Sequence, residues 1–299
     1  MNGSKMLSLF DLHCDTAHEL VVQNCRLGRN HLHIDLNRLC RYQKAAQVFA
    51  VWTPDTLQGG TRFDNACRVI DNFKREIAQN ADRIALCCTY DEIVAAHDGG
   101  RVAAILGIEG GGAFDGKIEN IRVLHEMGVR IVTVTWNGPN ELACGVPDDG
   151  GLTAFGRAAL DCMADLGMIV DLSHANRQSF EEITEYYQGP MIASHSNAFE
   201  VCDHVRNLTP QARKKLGLIG INLYPPFVGE DILPHIRAMK DCPLALGCDF
   251  DGVSSLPDGV SGVQDLPKLH EKLVQEFGET FANQVFFNNA MEYMKNYLR

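Results

Sequence analysis

Eight short apolar, β-rich runs alternate with amphipathic helical segments along the whole chain. The runs are Leu7–Leu12, Ala46–Trp52, Val102–Ile108, Ile131–Thr135, Met168–Asp171, Met191–Ser194, Leu218–Asn222 and Leu244–Gly247. Between them lie helical patterns such as Phe63–Asn80, Ile118–Met127, Thr153–Leu166, Ser179–Tyr187 and Pro210–Leu216, and Thr89-Tyr-Asp-Glu92 reads as a capping box. Several runs are almost continuously apolar, as strands become when both faces of a parallel sheet are covered. In 299 residues this alternation predicts an α/β fold, a closed (β/α)8 TIM-like barrel, with an extra short strand possible at Ile84–Cys88. Residues 265–299 read as two helices closing the barrel. No repeat, low-complexity segment or linker divides the chain, so 1–299 is expected to be one domain.

Hydrophobic residues make up 45% of the chain and charged residues 22%, enough apolar material for a sizeable core. The net charge of -11 argues against nucleic acid or an anionic membrane as the main partner. No apolar stretch approaches the length of a membrane span. Met1 to Asp11 lacks the basic and apolar regions of a secretory signal, so the cytoplasm is the expected compartment. The 11 cysteines are an odd number with no C-x-x-C pair, which disfavours a zinc ribbon or a disulfide framework. Cys14 and Cys248 each neighbour an acidic residue but, by strand alternation, should face away from it.

The chemistry is carried by side chains that sit just past the ends of the runs. His13 and Asp15 follow Met6–Leu12, Glu109 follows Val102–Ile108, His174 follows Met168–Leu172, and His195 follows Met191–Ser194. Two residues apart on a strand, His13 and Asp15 share a face. Any one of these residues alone reads as structural. Together they are five hard or borderline donors on one rim of a parallel barrel, a set that suits two divalent ions bridged by Glu109. Asp249, after Leu244–Cys248, is a candidate proton carrier; support of a ligand imidazole is its other reading. Gly111 to Lys117 fits G-x-x-x-x-G-K, but Ile118 stands where a hydroxyl would hold Mg²⁺, so a nucleotide site is not expected. His18, His31, His33, His97, His125 and His270 lie in helices or polar loops and read as surface or packing residues.

These segments resemble the membrane (renal) dipeptidase family of zinc peptidases. The matching stretches are Asp11-Leu-His13-Cys-Asp15-Thr, Gly107-Ile-Glu109-Gly-Gly, Val170-Asp-Leu-Ser-His174, Ala193-Ser-His195-Ser, Val205-Arg206-Asn207-Leu, Gly220-Ile-Asn-Leu-Tyr224 and Leu246-Gly-Cys-Asp249-Phe-Asp-Gly252. They come in the family's order and span nearly the whole chain. The resemblance implies a binuclear zinc centre with two Zn²⁺ per chain. His13 and Asp15 would hold one ion, His174 and His195 the other, and Glu109 would be shared. It implies that Arg206 clamps the substrate carboxylate, that Asp249 handles protons, and that Tyr224 stands beside a dipeptide substrate. Trp136 and Asn137 fall in a further substrate-contacting segment, where many members carry a histidine in place of Trp136. Indole donates one hydrogen bond but cannot accept one or become cationic. The carboxylated lysine that bridges metals in other amidohydrolase barrels has no counterpart here, which favours the Glu109-bridged group. The expected activity is dipeptide hydrolysis, with an acylamino-acid deacylase or a metal-binding protein without catalysis as alternatives, and a homodimer is implied by resemblance alone.

Overall fold

The computed structural model describes residues 7–54, 56–57 and 60–299. Nine parallel strands form one sheet: β1 (Leu9–Cys14), β2 (Ala45–Trp52), β3 (Ile84–Leu86), β4 (Val102–Glu109), β5 (Val129–Thr133), β6 (Ile169–Asp171), β7 (Met191–Ala193), β8 (Leu218–Ile221) and β9 (Leu244–Leu246). Eight of them close on themselves, because β2 pairs with β4 along Ala46–Trp52 and β1 pairs with β9. The ninth, β3, is the extra short strand. It takes the first part of the β4 edge, Val102 to Ala104, while β5 takes Leu106 to Glu109. The expected closed (β/α)8 barrel is the fold.

Two of the eight expected runs shift by two residues at each end, and the others agree to within one residue. The first strand runs Leu9–Cys14, since Leu9 is the first residue with a partner on β2. Met6, at the start of the expected run, lies outside the described residues. The fifth strand is Val129–Thr133 rather than Ile131–Thr135, and it ends where its neighbour β4 turns away at Gly110, whose φ is +93°.

Alternation along β4 sorts the core into two shells. Ala103 and Ile105 join Phe10, Leu12, Val48, Ile131, Ile169, Ile192 and Leu218 inside the barrel. Val102, Ala104, Leu106 and Ile108 face the surrounding helices, including Val69, Ile70 and Phe73 of the helix Thr61–Gln79. Beyond Leu266–Phe277, the tail forms Glu279–Asn283 and Asn289–Tyr297 with a π-helical turn, Gln284–Asn288, between them. Ala290, Tyr293, Met294 and Leu298 pack into the interior cluster. Asn289 Nδ2 donates to the Leu244 carbonyl (2.9 Å) and Tyr293 OH to the Met191 carbonyl (3.2 Å), each the first residue of its strand. The tail therefore covers the end of the barrel where strands begin. The opposite end is left for chemistry.

At that opposite end β1 contains a bulge. Asp11 pairs with Gln47 but Cys14 pairs with Phe49, so three steps on β1 match two on β2. The extra residue lets Leu12 fill the interior while His13 still faces the barrel mouth. The fully buried Asp11 carboxylate accepts from the backbone N–H groups of His13 (3.0 Å) and Cys248 (3.1 Å), joining the bulge to the residues after β9. Replacing Asp11 by alanine leaves both donors buried without a partner. Asp11→Ala is expected to lower the unfolding free energy by roughly 1–3 kcal/mol, read by urea denaturation of the metal-stripped protein; an unchanged midpoint would remove the clasp from the account.

Candidate metal centre

Glu109, the last residue of β4, lies at the centre of the mouth. Its Oε1 is 3.0 Å from His174 Nε2 and 3.7 Å from both His13 Nε2 and His195 Nε2. His174 Nε2 and His195 Nε2 are themselves 2.9 Å apart. On the other side, His13 Nε2 is 3.3 Å from Asp15 Oδ2 and 3.7 Å from Asp249 Oδ1. All six residues are buried. The five donors expected from the sequence and Asp249 are thus one cluster, in which His13–Glu109–His195 and His13–Asp15–Asp249 form compact groups of potential ligand atoms.

Hydrogen-bond bookkeeping fixes which imidazole nitrogens carry protons. Asp171 Oδ2 accepts from Thr133 Oγ1 and from Ser194 Oγ, both at 2.6 Å, and its Oδ1 accepts from the backbone N–H groups of Ser173 and Ser194. The Ser194 hydroxyl has one proton and gives it to Asp171, so at 2.7 Å from His195 Nδ1 its oxygen can only accept. Likewise, His174 Nδ1 is 3.1 Å from the amide oxygen of Asn137, an acceptor. Both rings therefore hold their proton on Nδ1 and present the Nε2 lone pair inward. Two such lone pairs 2.9 Å apart, with a carboxylate oxygen 3.0 Å from one of them, repel unless a cation lies among them. The donor set fits divalent metal.

Two further features fit the same conclusion. A Cβ on Gly252 would fall 2.1 Å from Asp15 Oδ2 and 2.5 Å from Asp249 Oδ1, so a glycine is required for the loop to pass these carboxylates. His174, Asp249 and Asp251 have φ of +69°, +62° and +69°, left-handed backbone that costs an L residue roughly 1–2 kcal/mol. Asp251 itself holds the loop, accepting from Thr16 Oγ1 (2.5 Å) and His33 N (2.6 Å).

The chain's own charges strain this cluster. Burial, then the charge of Asp15, pushes the Glu109 carboxyl well above its ordinary range, with His13 and Arg206 opposing. Burial works against a charged His13, but Glu109, Asp15 and Asp249 outweigh it and raise the imidazole to about 10. Burial and the positive charges of Arg206 and His13 hold His174 and His195 well below the usual histidine range. Burial also raises Asp249, whose Oδ2 accepts from Asn222 Nδ2 at 2.9 Å.

Two cavities meet at His174. The larger, about 1010 Å³, contains His174 and Arg206 and opens past Pro147, Phe180, Phe199 and Val205. The smaller, about 170 Å³, lies over Asp15, Glu109 and Asp249 and is walled by His18, Trp52 and Trp136. Arg206 is buried, lowered by burial to about 10, and its Nε and Nη2 have no partner. Its guanidinium lies 5.3 Å from the Phe227 ring, and Tyr224 meets that ring edge-on at 5.0 Å. The Tyr224 hydroxyl goes to Ser254 Oγ (3.1 Å), so Tyr224 reaches the site through Phe227. Trp136 packs edge-on against Trp52 at 5.0 Å and lies 6.3 Å from the His174 ring. Asn137, expected to contact substrate, has its amide oxygen 3.1 Å from His174 Nδ1.

Sequence reading missed Asp171, Ser194, Thr133, Asn222, Trp52 and His18 as parts of the site. His18, read as surface or packing, is buried against the smaller cavity. A polar residue inside an apolar run, as at Asp171 and Ser194, is the signal that could have found two of them. Removing the Ser194 hydroxyl frees the His195 proton to move to Nε2. Ser194→Ala should therefore weaken metal binding about 10- to 100-fold in chelator competition while the far-UV spectrum is unchanged, and wild-type affinity in that variant would contradict the assigned tautomer.

A model of the membrane dipeptidase family (peptidase family M19) matches residues 4–297. An uncharacterized protein from the pqqA 5′ region of Klebsiella pneumoniae is 31% identical over 251 residues, covering 75% of this chain and 92% of that one. An uncharacterized dipeptidase of Schizosaccharomyces pombe is 31% identical over 284 residues, covering 83% and 68%. Among solved structures, that of dipeptidase AC, a metallopeptidase, aligns with a TM-score of 0.91 at 24% identity over 98% of this chain and 99% of that one. A Rhodobacter sphaeroides metallopeptidase liganded with a phosphinate mimic of L-Ala-D-Ala aligns equally well at 22% identity, with the same coverage. Converging donors, barrel and family match agree: the chain belongs to the membrane dipeptidase family, peptidase family M19, and is a metal-dependent dipeptidase.

Proposed function

We propose that the protein cleaves dipeptides with a free C-terminal carboxylate, using two zinc ions per chain, within one catalytic domain spanning 1–299. The observation that carries this reading is the unpaired Nε–Nη2 edge of Arg206, buried in the cavity that reaches His174. Nε and Nη2 donate in parallel from one edge of the guanidinium, which matches the two oxygens of a carboxylate. A dipeptide anchored there brings its peptide bond toward the donor cluster, whereas a longer chain has no carboxylate at that point.

In this reading His13 and Asp15 hold one ion, His174 and His195 the other, and Glu109 both. Bound there, the ions would supply an acidified water and polarise the scissile carbonyl. Asn222 ties up Asp249 Oδ2, leaving Oδ1 on the His13 side free to accept the proton of the attacking water and return it to the leaving amine. A carboxyl raised by burial takes up that proton more readily than one in water. Trp136 cannot supply an imidazole's hydrogen bonds and acts as a wall. Eleven free cysteines suit a reducing compartment, in keeping with a cytoplasmic location. Among the described residues no helix is long and apolar enough to cross a membrane. The homodimer implied by resemblance is read out by light scattering.

Two substitutions test the assignment. Glu109→Ala should lose most of the bound zinc and the activity together, and full metal occupancy in that variant would rule out a bridging role. Arg206→Ala should cost roughly ten- to hundredfold in kcat/KM, with Arg206→Lys impaired to a lesser degree because the planar fork is gone. Dipeptides amidated at the C-terminus should be poor substrates for the wild type and little affected further by either change. Equal cleavage of amidated and free dipeptides would exclude the clamp.

A further inference from the structure

We infer that the smaller cavity is the subsite for the N-terminal residue of the substrate and that it selects dipeptides beginning with a small residue bearing a free amine. The inference rests on Arg206 binding the C-terminal carboxylate. Arg206 lies in the larger cavity, and the two cavities meet at His174. A dipeptide held at Arg206, with its peptide bond at the donor cluster, must place its first residue on the far side, under His18, Trp52 and Trp136. At about 170 Å³ that space is far smaller than the cavity of about 1010 Å³ beside Arg206.

Its chemistry is that of an ammonium receptor. The His18 ring stands edge-on to Trp52, and burial lowers its imidazole, which holds it neutral. Its Nδ1 is buried with no partner, and in the Nε2–H tautomer it accepts. Asp15 Oδ1 is a second buried acceptor without a partner. Glu19 and Asp251 also line the space, and no lysine or arginine is among its described lining residues. Trp52 and Trp136 meet edge-on, and His18 meets Trp52 edge-on at 4.9 Å, so aromatic rings wall the space. Ring faces favour a cation and oppose a bulky side chain. Trp52 Nε1 is a buried donor without a partner on this wall and is left for a water or a side-chain oxygen of the first residue. The second residue, by contrast, meets the broad opening past Phe199 and Val205, which are 36% and 64% exposed. Selection is therefore one-sided.

The zinc-loaded wild type is assayed on glycyl-, alanyl-, phenylalanyl- and tryptophyl-leucine, on glycyl-phenylalanine and glycyl-lysine, and on N-acetyl-alanyl-leucine. The small N-terminal residues should exceed the aromatic ones by about a hundredfold in kcat/KM, the glycyl series should vary by less than about tenfold, and the acetylated compound should be cleaved poorly. His18→Phe keeps a ring and removes the acceptor, so KM for alanyl-leucine should rise about tenfold with zinc content unchanged. Trp136→Ala, or Trp52→Ala where that variant is unstable, should narrow the alanyl-to-phenylalanyl ratio about tenfold or more. Equal rates for glycyl- and phenylalanyl-leucine, or stronger discrimination at the second residue than at the first, would overturn the inference while leaving the dipeptidase reading intact. Absence of cleavage of every free dipeptide would sink both.

Discussion

Much of the upper barrel follows from one electrostatic constraint: lone pairs and carboxylates pointing at one another in a buried space. His174 Nε2, His195 Nε2 and Glu109 Oε1 come within 2.9–3.7 Å with no proton between the two imidazoles. At such separations in a low-dielectric interior, like partial charges cost far more than at a surface. The positive charges of His13 and Arg206 offset part of this, but both groups are themselves buried. A divalent cation would attract all of these lone pairs and carboxylates at once and outweigh their mutual repulsion. The left-handed backbone at His174 and Asp249 belongs to the same account, since such strain persists only where the surroundings impose it.

The barrel supplies the rigidity that the constraint demands. Asp171 is gripped by Thr133 from β5 and by Ser194 just after β7, so one carboxylate couples three neighbouring strand ends. Ser194 is held from behind as well. A Cβ at Gly220 or Gly247 would fall 1.8 or 1.7 Å from the Ser194 carbonyl oxygen, a closeness only glycine permits. The hydroxyl that fixes the His195 tautomer is thus positioned by packing, and the position of a ligand nitrogen is set two layers below the site itself.

What was legible in the sequence follows from which rule each residue obeys. Glu109 follows the period of two along β4, so a continuous apolar run ending in an acid revealed both the strand and the donor. His13 was found although it breaks that period, because its spacing to Asp15 survives the bulge. The bulge itself was not legible, and neither was its Asp11 clasp, since both depend on the register with β2 and on the backbone after β9. Asp171 and Ser194 were hidden for a different reason. Each sits inside a run that reads as strand, and their shared contact spans 23 residues. His18 lies on a helix that looks like surface until Trp52 and Trp136, from two other strands' ends, are folded over it.

Trp136, at a position where the family resemblance implies a histidine in many members, gains a physical meaning in this setting. A histidine there would add a polar, titratable ring beside a cavity that already holds several carboxylates and His174. Indole adds neither charge nor acceptor, and its contact with Trp52 turns an open polar wall into a closed aromatic one. Under the inferred subsite, the unpartnered His18 Nδ1 and Asp15 Oδ1 are atoms that a compact, donor-rich group would satisfy. Polar recognition by such unpaired atoms discriminates more sharply than apolar fit, because the wrong ligand leaves the desolvation cost in place. The same logic governs Arg206 at the other cavity, with the sign of the charge reversed. In the proposed reading, a donor-rich edge on one side of His174 and acceptor atoms on the other would match the two ends of a zwitterionic dipeptide and would set the direction in which it lies across the centre.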